Sequence, residues 1–261
     1  MAFTVHAVMP GVWHIVDCMG VCMTLLEGEN AAMLVDTGYG IEDVADFMRH
    51  MTDLPLTVFL THNHHDHAMG ARCFPETYML EADMADWCMF TNDEMRRRVL
   101  TQAIGKNLPV DEKTFLAGEI PLPKVMKPGV IDLGGLTAEI IEAPGHTPGS
   151  AVVYVPERKL LLSGDDWNPC TWLFFPQALG LREYRSNMRG IQQLPFEKVL
   201  CPHREALYDR WMFDDFFNAL TDGNLRAAEP VNIAPYEQID TCQATLLHDQ
   251  VLVFDWAKSG L

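Results

Sequence analysis

The chain has 261 residues, of which 48% are hydrophobic, and its formal net charge at pH 7 is −17. A chain of this length buries enough apolar surface to fold without disulfides. The negative charge argues against nucleic-acid binding, because affinity for a phosphate backbone depends on clustered Lys and Arg. The only basic cluster, at 96–98, is interpreted as a solvated helix face. We therefore expect no nucleic-acid partner.

Cysteine content and hydropathy indicate the cellular compartment of the protein. The seven Cys residues are odd in number and include no C-x-x-C pair, which indicates reduced thiols and an intracellular setting. The N-terminal segment lacks the basic and apolar regions of a signal peptide. No run of 18 apolar residues occurs, so no membrane span is expected. The sequence therefore predicts a cytoplasmic protein.

The first half of the chain is predicted to combine strands with a few helices. Its patterns place strands at 3–9, 12–18, 21–27, 31–35 and 56–60, with a tight hairpin turn at 28–30. The spacing of Val44, Ala45 and Met48 predicts a helix over 42–51. Residues 82–105 are rich in Met and charge and predict one or two further helices.

The second half repeats this order after a long connection. Residues 106–130 are punctuated by Pro and Gly and predict an irregular link. Strands are expected at 130–133, 136–143, 151–155 and 159–163, helices at 183–194 and 207–220, and a closing hairpin at 244–247 and 251–255. Two successive halves of strands followed by helix fit an α/β fold of the four-layer αβ/βα sandwich type. We predict one domain over 1–261.

The most informative segment is 61–67, Thr-His-Asn-His-His-Asp-His, which directly follows the predicted strand at 56–60. It contains an H-x-H-x-D-H pattern of three imidazoles and one carboxylate. These are ligands that zinc and other borderline transition metals prefer. The alternative is a His-rich surface loop, but further metal-binding residue types follow other predicted strands. The intervening Asn63 and His65 are expected to point away from the metals.

Four more apolar runs end at a residue that can bind or orient a metal. His146 lies in a Gly/Pro turn, Asp165 and His203 follow short apolar runs, and Asp36 ends the fourth predicted strand. Open α/β folds place their sites beyond strand ends. Five such endings in one chain therefore predict a single metal site.

In this order and setting the residues resemble the metallo-β-lactamase superfamily of metallohydrolases, over residues from about 10 to 205. The resemblance implies the αβ/βα sandwich and a two-metal centre. The implied ligands are His62, His64 and His146 for the first metal and Asp66, His67 and His203 for the second, with Asp165 bridging both. Asp36 would lie behind the ligands and orient them.

Two residues locate the resemblance within the superfamily. True β-lactamases carry Cys or Ser at the position of Asp165, whereas glyoxalase II and the acyl-homoserine lactonases carry Asp. His64 differs from the carboxylate of the oxygen-reducing diiron branch. The chain therefore resembles the glyoxalase II and lactonase-like hydrolases. It departs from glyoxalase II in its short segment after His203, and from the lactonases in having Asn168 where they carry Tyr.

The chemistry that the resemblance implies is hydrolysis by a metal-bridging hydroxide, with Asp66 and Asp165 as the catalytic carboxylates. Two Zn²⁺ ions, or Fe or Mn in their place, would lower the pKa of bound water to about 7. The expected substrate is a small molecule, namely an ester, thioester, lactone or phosphoester. The alternative is a mononuclear iron oxidoreductase of the sulfur-dioxygenase type on the same fold, which metal analysis would distinguish.

Residues 166–176 follow Asp165 directly and are dense in aromatic side chains outside a predicted strand or helix. Such a segment indicates a pocket wall, and packing over the core is the alternative. The candidate pocket residues are Trp167, Asn168, Trp172 and Phe174, with Arg204 holding either a substrate carboxylate or a local acid. Trp87, Met89 and Phe90 would line the same pocket or a dimer contact, so a homodimer is left open.

Overall fold

The computed structural model describes residues 3–261, and the first half of the chain forms a seven-stranded sheet. Its strands are β1 Thr4–Met9, β2 Val12–Val16, β3 Cys22–Glu27, β4 Ala32–Val35, β5 Leu56–Phe59, β6 Tyr78–Met79 and β7 Lys124–Val125. They lie side by side in chain order. Pairing is antiparallel from β1 to β4 and parallel from β4 to β7.

The second half forms a six-stranded sheet and a smaller four-stranded sheet. Its strands are β8 Gly129–Asp132, β9 Thr137–Glu142, β10 Ala151–Val155, β11 Leu160–Leu162, β12 Cys170–Leu173, β13 Lys198–Leu200, β14 Tyr208–Asp209, β15 Glu229–Pro230, β16 Thr241–Thr245 and β17 Val251–Asp255. The order is β14-β13-β11-β10-β9-β8 in the larger sheet and β12-β17-β16-β15 in the smaller. In the larger sheet β11 and β13 are parallel.

The helices cover the sheets or carry the site. They are α1 Val44–Met51, α2 His65–Ala68, α3 Trp87–Thr91, α4 Asp93–Gly105, α5 Glu112–Phe115, α6 Leu181–Ile191, α7 Arg210–Ala219 and α8 Asp222–Arg226. Asp43 starts α1 by accepting a hydrogen bond from the backbone N–H of Asp46 (2.9 Å). Short 3-10 helices include 69–73, 81–86 and 164–166. In the part of the chain that is described, no helix is long and apolar enough to cross a membrane.

The elements form four layers in the order helix, sheet, sheet, helix, and the apolar core lies between these layers. Between the two large sheets, Met33 and Phe59 of the first sheet belong to the same cluster as Val153 of the second. The outer face of the first sheet packs on α1. The next residue of β10, Val152, belongs to the cluster on the opposite face with Met188 of α6. This alternation explains why β10 is entirely buried and apolar.

One difference from the sequence prediction bears on the site. Residues 170–173, expected to be irregular, form β12 and pair in parallel with β17. The predicted closing hairpin, β16 with β17, is therefore part of a four-stranded sheet and does not stand alone. Pairing between segments about 80 residues apart depends on tertiary context, which a local pattern does not contain.

Candidate metal centre

The predicted ligands follow strands that end at one edge of the sandwich. His62 follows β5 in the first sheet, while Asp165 and His203 follow the parallel neighbours β11 and β13 in the second. A backbone hydrogen bond from Ala151 N–H to the carbonyl of Thr61 (3.0 Å) joins the two sheets beside His62. The topology therefore brings together residues that are far apart in sequence.

The first group consists of His62, His64 and His146, all buried, with one nitrogen from each ring within 4.8 Å of the others. Nε2 of His146 lies 2.8 Å from Nδ1 of His64. The outer nitrogens have other partners. Nδ1 of His146 lies 2.6 Å from the carbonyl oxygen of Trp172, which only an N–H can satisfy. Nε2 of His64 lies 2.6 Å from the side-chain nitrogen of Gln177. The contact with Trp172 leaves the lone pair of His146 on Nε2, the nitrogen that faces His64.

The second group contains Asp66, His67 and His203, and Asp165 lies between it and the first. Asp165 Oδ2 is 3.0 Å from Nε2 of His203 and 3.6 Å from Nε2 of His146, while Oδ1 is 3.4 Å from Nε2 of His67. Gly164 supplies the turn before it with a φ of +51°, a region that favours glycine. One carboxylate thus contacts imidazoles of both groups.

The donor set fits divalent cations. Three atoms at its centre are buried and have no hydrogen-bond partner among the described residues: His62 Nε2, His67 Nε2 and Asp165 Oδ1. Buried polar atoms are nearly always satisfied. These three belong to one ligand-spaced group, so a cation accounts for all of them together.

Electrostatics differ between the two groups. Burial, followed by the neighbouring imidazoles, holds the pKa of His62 and His64 well below the usual range, which keeps both rings in the neutral, metal-binding form. In the second group, the neighbouring carboxylates outweigh the lowering effect of burial on the pKa of His67. Asp165 and Asp66 raise the pKa of His67 well above its ordinary value despite its burial. The two carboxylates therefore favour the protonated form of His67.

Asp36 orients the second group from behind. It has a φ of +65° and follows β4 directly. Its Oδ1 accepts a hydrogen bond from the backbone N–H of Thr61 (2.7 Å), and its Oδ2 lies 3.0 Å from Nδ1 of His67. Because Nδ1 of His67 is engaged in this way, Nε2 is the nitrogen that faces Asp165.

Asp83 is a positioning residue that the sequence analysis missed. Its buried carboxylate accepts hydrogen bonds from the backbone N–H groups of Asn63 (3.1 Å) and Gly149 (2.6 Å) and from the hydroxyl of Thr147 (2.7 Å). It therefore ties the 62–67 segment to the turn that carries His146. Asn63 faces Asp83 and lies outside the ligand groups. No local pattern marks Asp83, since its partners come from two distant loops.

A cavity of about 510 Å³ opens beside the ligands. Of the predicted pocket residues, Asn168, Trp172 and Arg204 line it. Tyr39 and Tyr236, which sequence analysis did not single out, line it as well.

Trp167 and Phe174 do not line this cavity, and their assignment to its wall is corrected. Both are 0% exposed. The indole N–H of Trp167 donates to Gln250 Oε1 (3.2 Å), and its ring packs edge-on against Tyr208. Phe174 is buried against Phe175, which does line the cavity. Trp167 and Phe174 flank β12, and Trp172 is the aromatic residue within that strand and is turned outward to the cavity.

Residues 87–90, which follow the His cluster in sequence, also divide between the cavity wall and the core. Phe90 lines the cavity, and Met89 lines an adjoining groove of about 290 Å³. Trp87 is buried in the core, with its indole N–H directed at the carbonyl of Ile120.

The basic cluster at 96–98 is not a single solvated face. Arg96 is 1% exposed and donates to backbone carbonyls, including that of Gly118 (2.7 Å). Arg97 is exposed, and Arg98 lines the cavity. Successive helix residues point about 100° apart, so three adjacent side chains on α4 reach three different environments.

Comparison with known proteins agrees with this geometry. The profile described as the metallo-beta-lactamase superfamily matches residues 16–203. The chain belongs to this superfamily. The resemblance seen in the sequence is thereby confirmed. Superfamily membership together with the His/Asp cluster makes the protein a metal-dependent hydrolase.

Individual relatives are more distant. The acyl-coenzyme A thioesterase MBLAC2 of Gallus gallus is 26% identical over 200 residues, which are 69% of this chain and 70% of that protein. A metallo-beta-lactamase from Pontibacter korlensis is 18% identical with a TM-score of 0.57, over 83% of this chain and 98% of that one. The sec-alkylsulfatase Pisa1 from Pseudomonas sp. is 15% identical with a TM-score of 0.63, over 86% and 43%. These structures confirm the predicted αβ/βα sandwich.

Proposed function

We propose that the protein is a dinuclear metallohydrolase that cleaves an acyl thioester or a closely related small ester. The observation that carries the proposal is the position of Asp165, which lies 3.6 Å from His146 of the first group and 3.0 Å from His203 of the second. A carboxylate shared by two ligand groups is the arrangement that a two-metal site requires.

The metal-binding roles follow from the two groups. His62, His64 and His146 would hold one cation, and Asp66, His67 and His203 the other, with Asp165 shared. Imidazole and carboxylate donors suit zinc, and iron or manganese can take the same set. When bound, two such cations act as Lewis acids and activate water at neutral pH. Asp66 and Asp165 would supply the negative charge that balances part of the charge of these cations.

The surrounding side chains would orient the substrate and exclude water. The rings of Phe90 and Phe175 lie 4.4 and 4.6 Å from that of His64, which shields the first group on its cavity side. Burial, followed by the charge of Asp66, raises the pKa of Tyr39. The Tyr39 hydroxyl therefore keeps its proton and can donate a hydrogen bond to a substrate oxygen.

A thioester is favoured among the candidate substrates. The relative MBLAC2 is named an acyl-coenzyme A thioesterase. Asn168 replaces the Tyr of the lactonases, and its side-chain oxygen accepts the N–H of Cys170 (2.8 Å), so it serves the turn before β12. Asp165 replaces the Cys or Ser of the true β-lactamases.

A hydrolysis panel tests the proposal. The purified protein, with its metal content measured, would be given an acyl-coenzyme A thioester, a homoserine lactone, a phosphodiester, an aryl phosphotriester and a β-lactam. We expect two metal ions per chain and the highest kcat/KM on the thioester. A higher value on another class would overturn the substrate assignment. A single iron with oxygen consumption on a persulfide would favour the sulfur-dioxygenase alternative.

A further inference from the structure

We propose that Arg98 and Arg204 form an anion-binding site in the cavity, which recognises a phosphate or carboxylate group on the substrate at a distance from the bond that is cleaved. The inference rests on the proposed function and deepens it, because it assigns a charge to the substrate.

Outside the candidate ligands, the charge of the cavity wall is opposite to that of the chain. Asp and Glu outnumber Lys and Arg by 36 to 19 over the whole sequence. Yet apart from the candidate ligands Asp66 and Asp165, the only Asp, Glu, Lys or Arg side chains lining the described cavity are Arg98 and Arg204. The two carboxylates would face cations of greater total charge, so the space left for substrate is positive.

Neither arginine is neutralised by the protein. Over residues 3–261, no carboxylate oxygen lies within 4 Å of either guanidinium group. Glu205, next to Arg204, is instead 2.9 Å from His6, and Asp93 on α4 is 3.2 Å from Arg96. Glu94, the acid nearest to Arg98 in sequence, lies beyond salt-bridge distance of it among the described residues. The salt bridge to a local acid that the sequence left open for Arg204 is therefore not formed.

The two side chains are anchored by different elements. Arg98 stands on α4, and its charge partly offsets the rise that burial causes in the pKa of Tyr236 in the same wall. Arg204 follows His203 and donates one guanidinium N–H to its carbonyl (2.8 Å). The backbone carbonyl of Arg204 lies 3.1 Å from Nε2 of the buried His14. The Arg204 charge is thereby held next to a candidate metal ligand.

An apolar surface for the rest of a substrate adjoins the arginines. The adjoining groove shares Phe90, Met95, Arg98, Phe175 and Tyr236 with the cavity and continues past Met89. A hydrocarbon chain fits the Met and Phe side chains of that surface, whereas an anionic group is attracted to Arg98, where groove and cavity meet, and to Arg204 in the cavity. Guanidinium groups bind phosphate and carboxylate through paired N–H donors. The geometry thus suits a substrate with one apolar and one anionic arm.

Three thioesters with the same acyl group test the site. They are butanoyl-coenzyme A, which carries phosphates, S-butanoylglutathione, which carries carboxylates, and the butanoyl thioester of N-acetylcysteamine, which is neutral. The measured quantity is the kcat/KM of each anionic thioester divided by that of the neutral one. We expect Arg98→Gln and Arg204→Gln each to lower this ratio about three- to tenfold, which is less than for a buried charge-assisted hydrogen bond because both side chains are exposed. The wild-type ratio should fall as salt is raised.

Arg97→Gln is the matched control, since Arg97 lies on the same helix, is exposed and does not line the cavity. Arg98→Lys and Arg204→Lys should retain most of the ratio. A fall for coenzyme A alone identifies phosphate as the recognised group, and a fall for both anionic thioesters identifies anions in general. Unchanged ratios in both Gln variants, or an equal fall in Arg97→Gln, would overturn the proposal. Failure of the wild-type protein to hydrolyse even the neutral thioester would instead reject the proposed function.

Discussion

At the scale of single residues, Asp165 has the most demanding position, because its two oxygens face imidazoles of both ligand groups. We expect Asp165→Asn to lower kcat at least about 100-fold and to remove about one metal per chain, since a carboxamide carries no charge to share between two cations. Elemental analysis beside steady-state kinetics on the same sample checks this. Two retained metals with near-normal turnover would remove Asp165 from its bridging role.

Gln177 supports the first group through its carboxamide, 2.6 Å from Nε2 of His64. Loss of such an outer hydrogen bond typically weakens metal binding about 10- to 100-fold. Gln177→Ala should therefore raise the dissociation constant for zinc by this factor, measured by competition with a chelating dye. Gln102→Ala is the control, since Gln102 lines the cavity and forms no hydrogen bond with a candidate ligand among the described residues. Equal zinc affinities in the two variants would show that His64 needs no such support.

His14 predicts a pH dependence of stability. Burial lowers its pKa, with the Arg204 carbonyl partly opposing the shift. Below about pH 6.5 the unfolded chain therefore binds the proton more readily than the folded one. The contribution of neutral His14 to the free energy of unfolding is complete at higher pH and is lost as the pH falls through the folded pKa. In urea denaturation of metal-free protein, we expect the free energy of unfolding to fall more steeply between pH 7 and 5 than in His14→Gln, by at most about 1.4 kcal/mol per pH unit. Parallel curves would contradict this.

Site residues could be predicted from the sequence where a pattern in their immediate neighbourhood marks them. The H-x-H-x-D-H segment and the three later ligand residues each follow an apolar run, so the sequence marks them, and the structure brings all seven together. Asp83 and Gln177 carry no such mark. Each acts on a segment far away in sequence, Asp83 on Gly149 and Gln177 on His64. Their roles exist only once the loops are folded.

At the scale of elements, β12 carries a residue that lines the cavity, and the segment just before it packs into the core. Trp172 is partly exposed and lines the cavity, whereas Trp167 is fully buried. We expect Trp172→Ala to raise KM or change substrate preference while metal content and melting temperature stay close to wild type. Trp167→Ala should instead lower the free energy of unfolding by about 3–5 kcal/mol. Kinetics and thermal melts on both variants check this. Unchanged kinetics with a lowered melting temperature in Trp172→Ala would assign that side chain to packing.

The prediction of elements succeeded where a local period was strong and failed where pairing was distant. The spacing of Val44 and Met48 marked α1, and both are buried as expected. The aromatic density of 166–176 concealed a strand, because β12 is defined by hydrogen bonds to β17. Beyond that strand, the sequence prediction assigned Phe174 to the pocket wall, whereas Phe174 is buried and the adjacent Phe175 lines the cavity.

At the scale of the whole molecule, the site exists because two sheets end at the same edge. The first sheet supplies the His cluster, and the second supplies Asp165 and His203 beyond parallel strands. No periodicity in the sequence specifies how the two halves face each other. The facing of the two halves could be predicted only from the order of the strand-end residues, because that order resembles a known superfamily. The match over residues 16–203 confirms the resemblance. The predicted single domain and the homodimer stay predictions.

The central claim is that catalysis needs two cations in the paired groups around Asp165. Its most direct test is thioester hydrolysis by chelator-stripped protein as zinc is added in known equivalents. We predict no measurable turnover without metal and a rise that levels off at two zinc ions per chain. Full activity in the metal-free protein, or a plateau at one equivalent with no further gain at the second, would contradict a dinuclear mechanism.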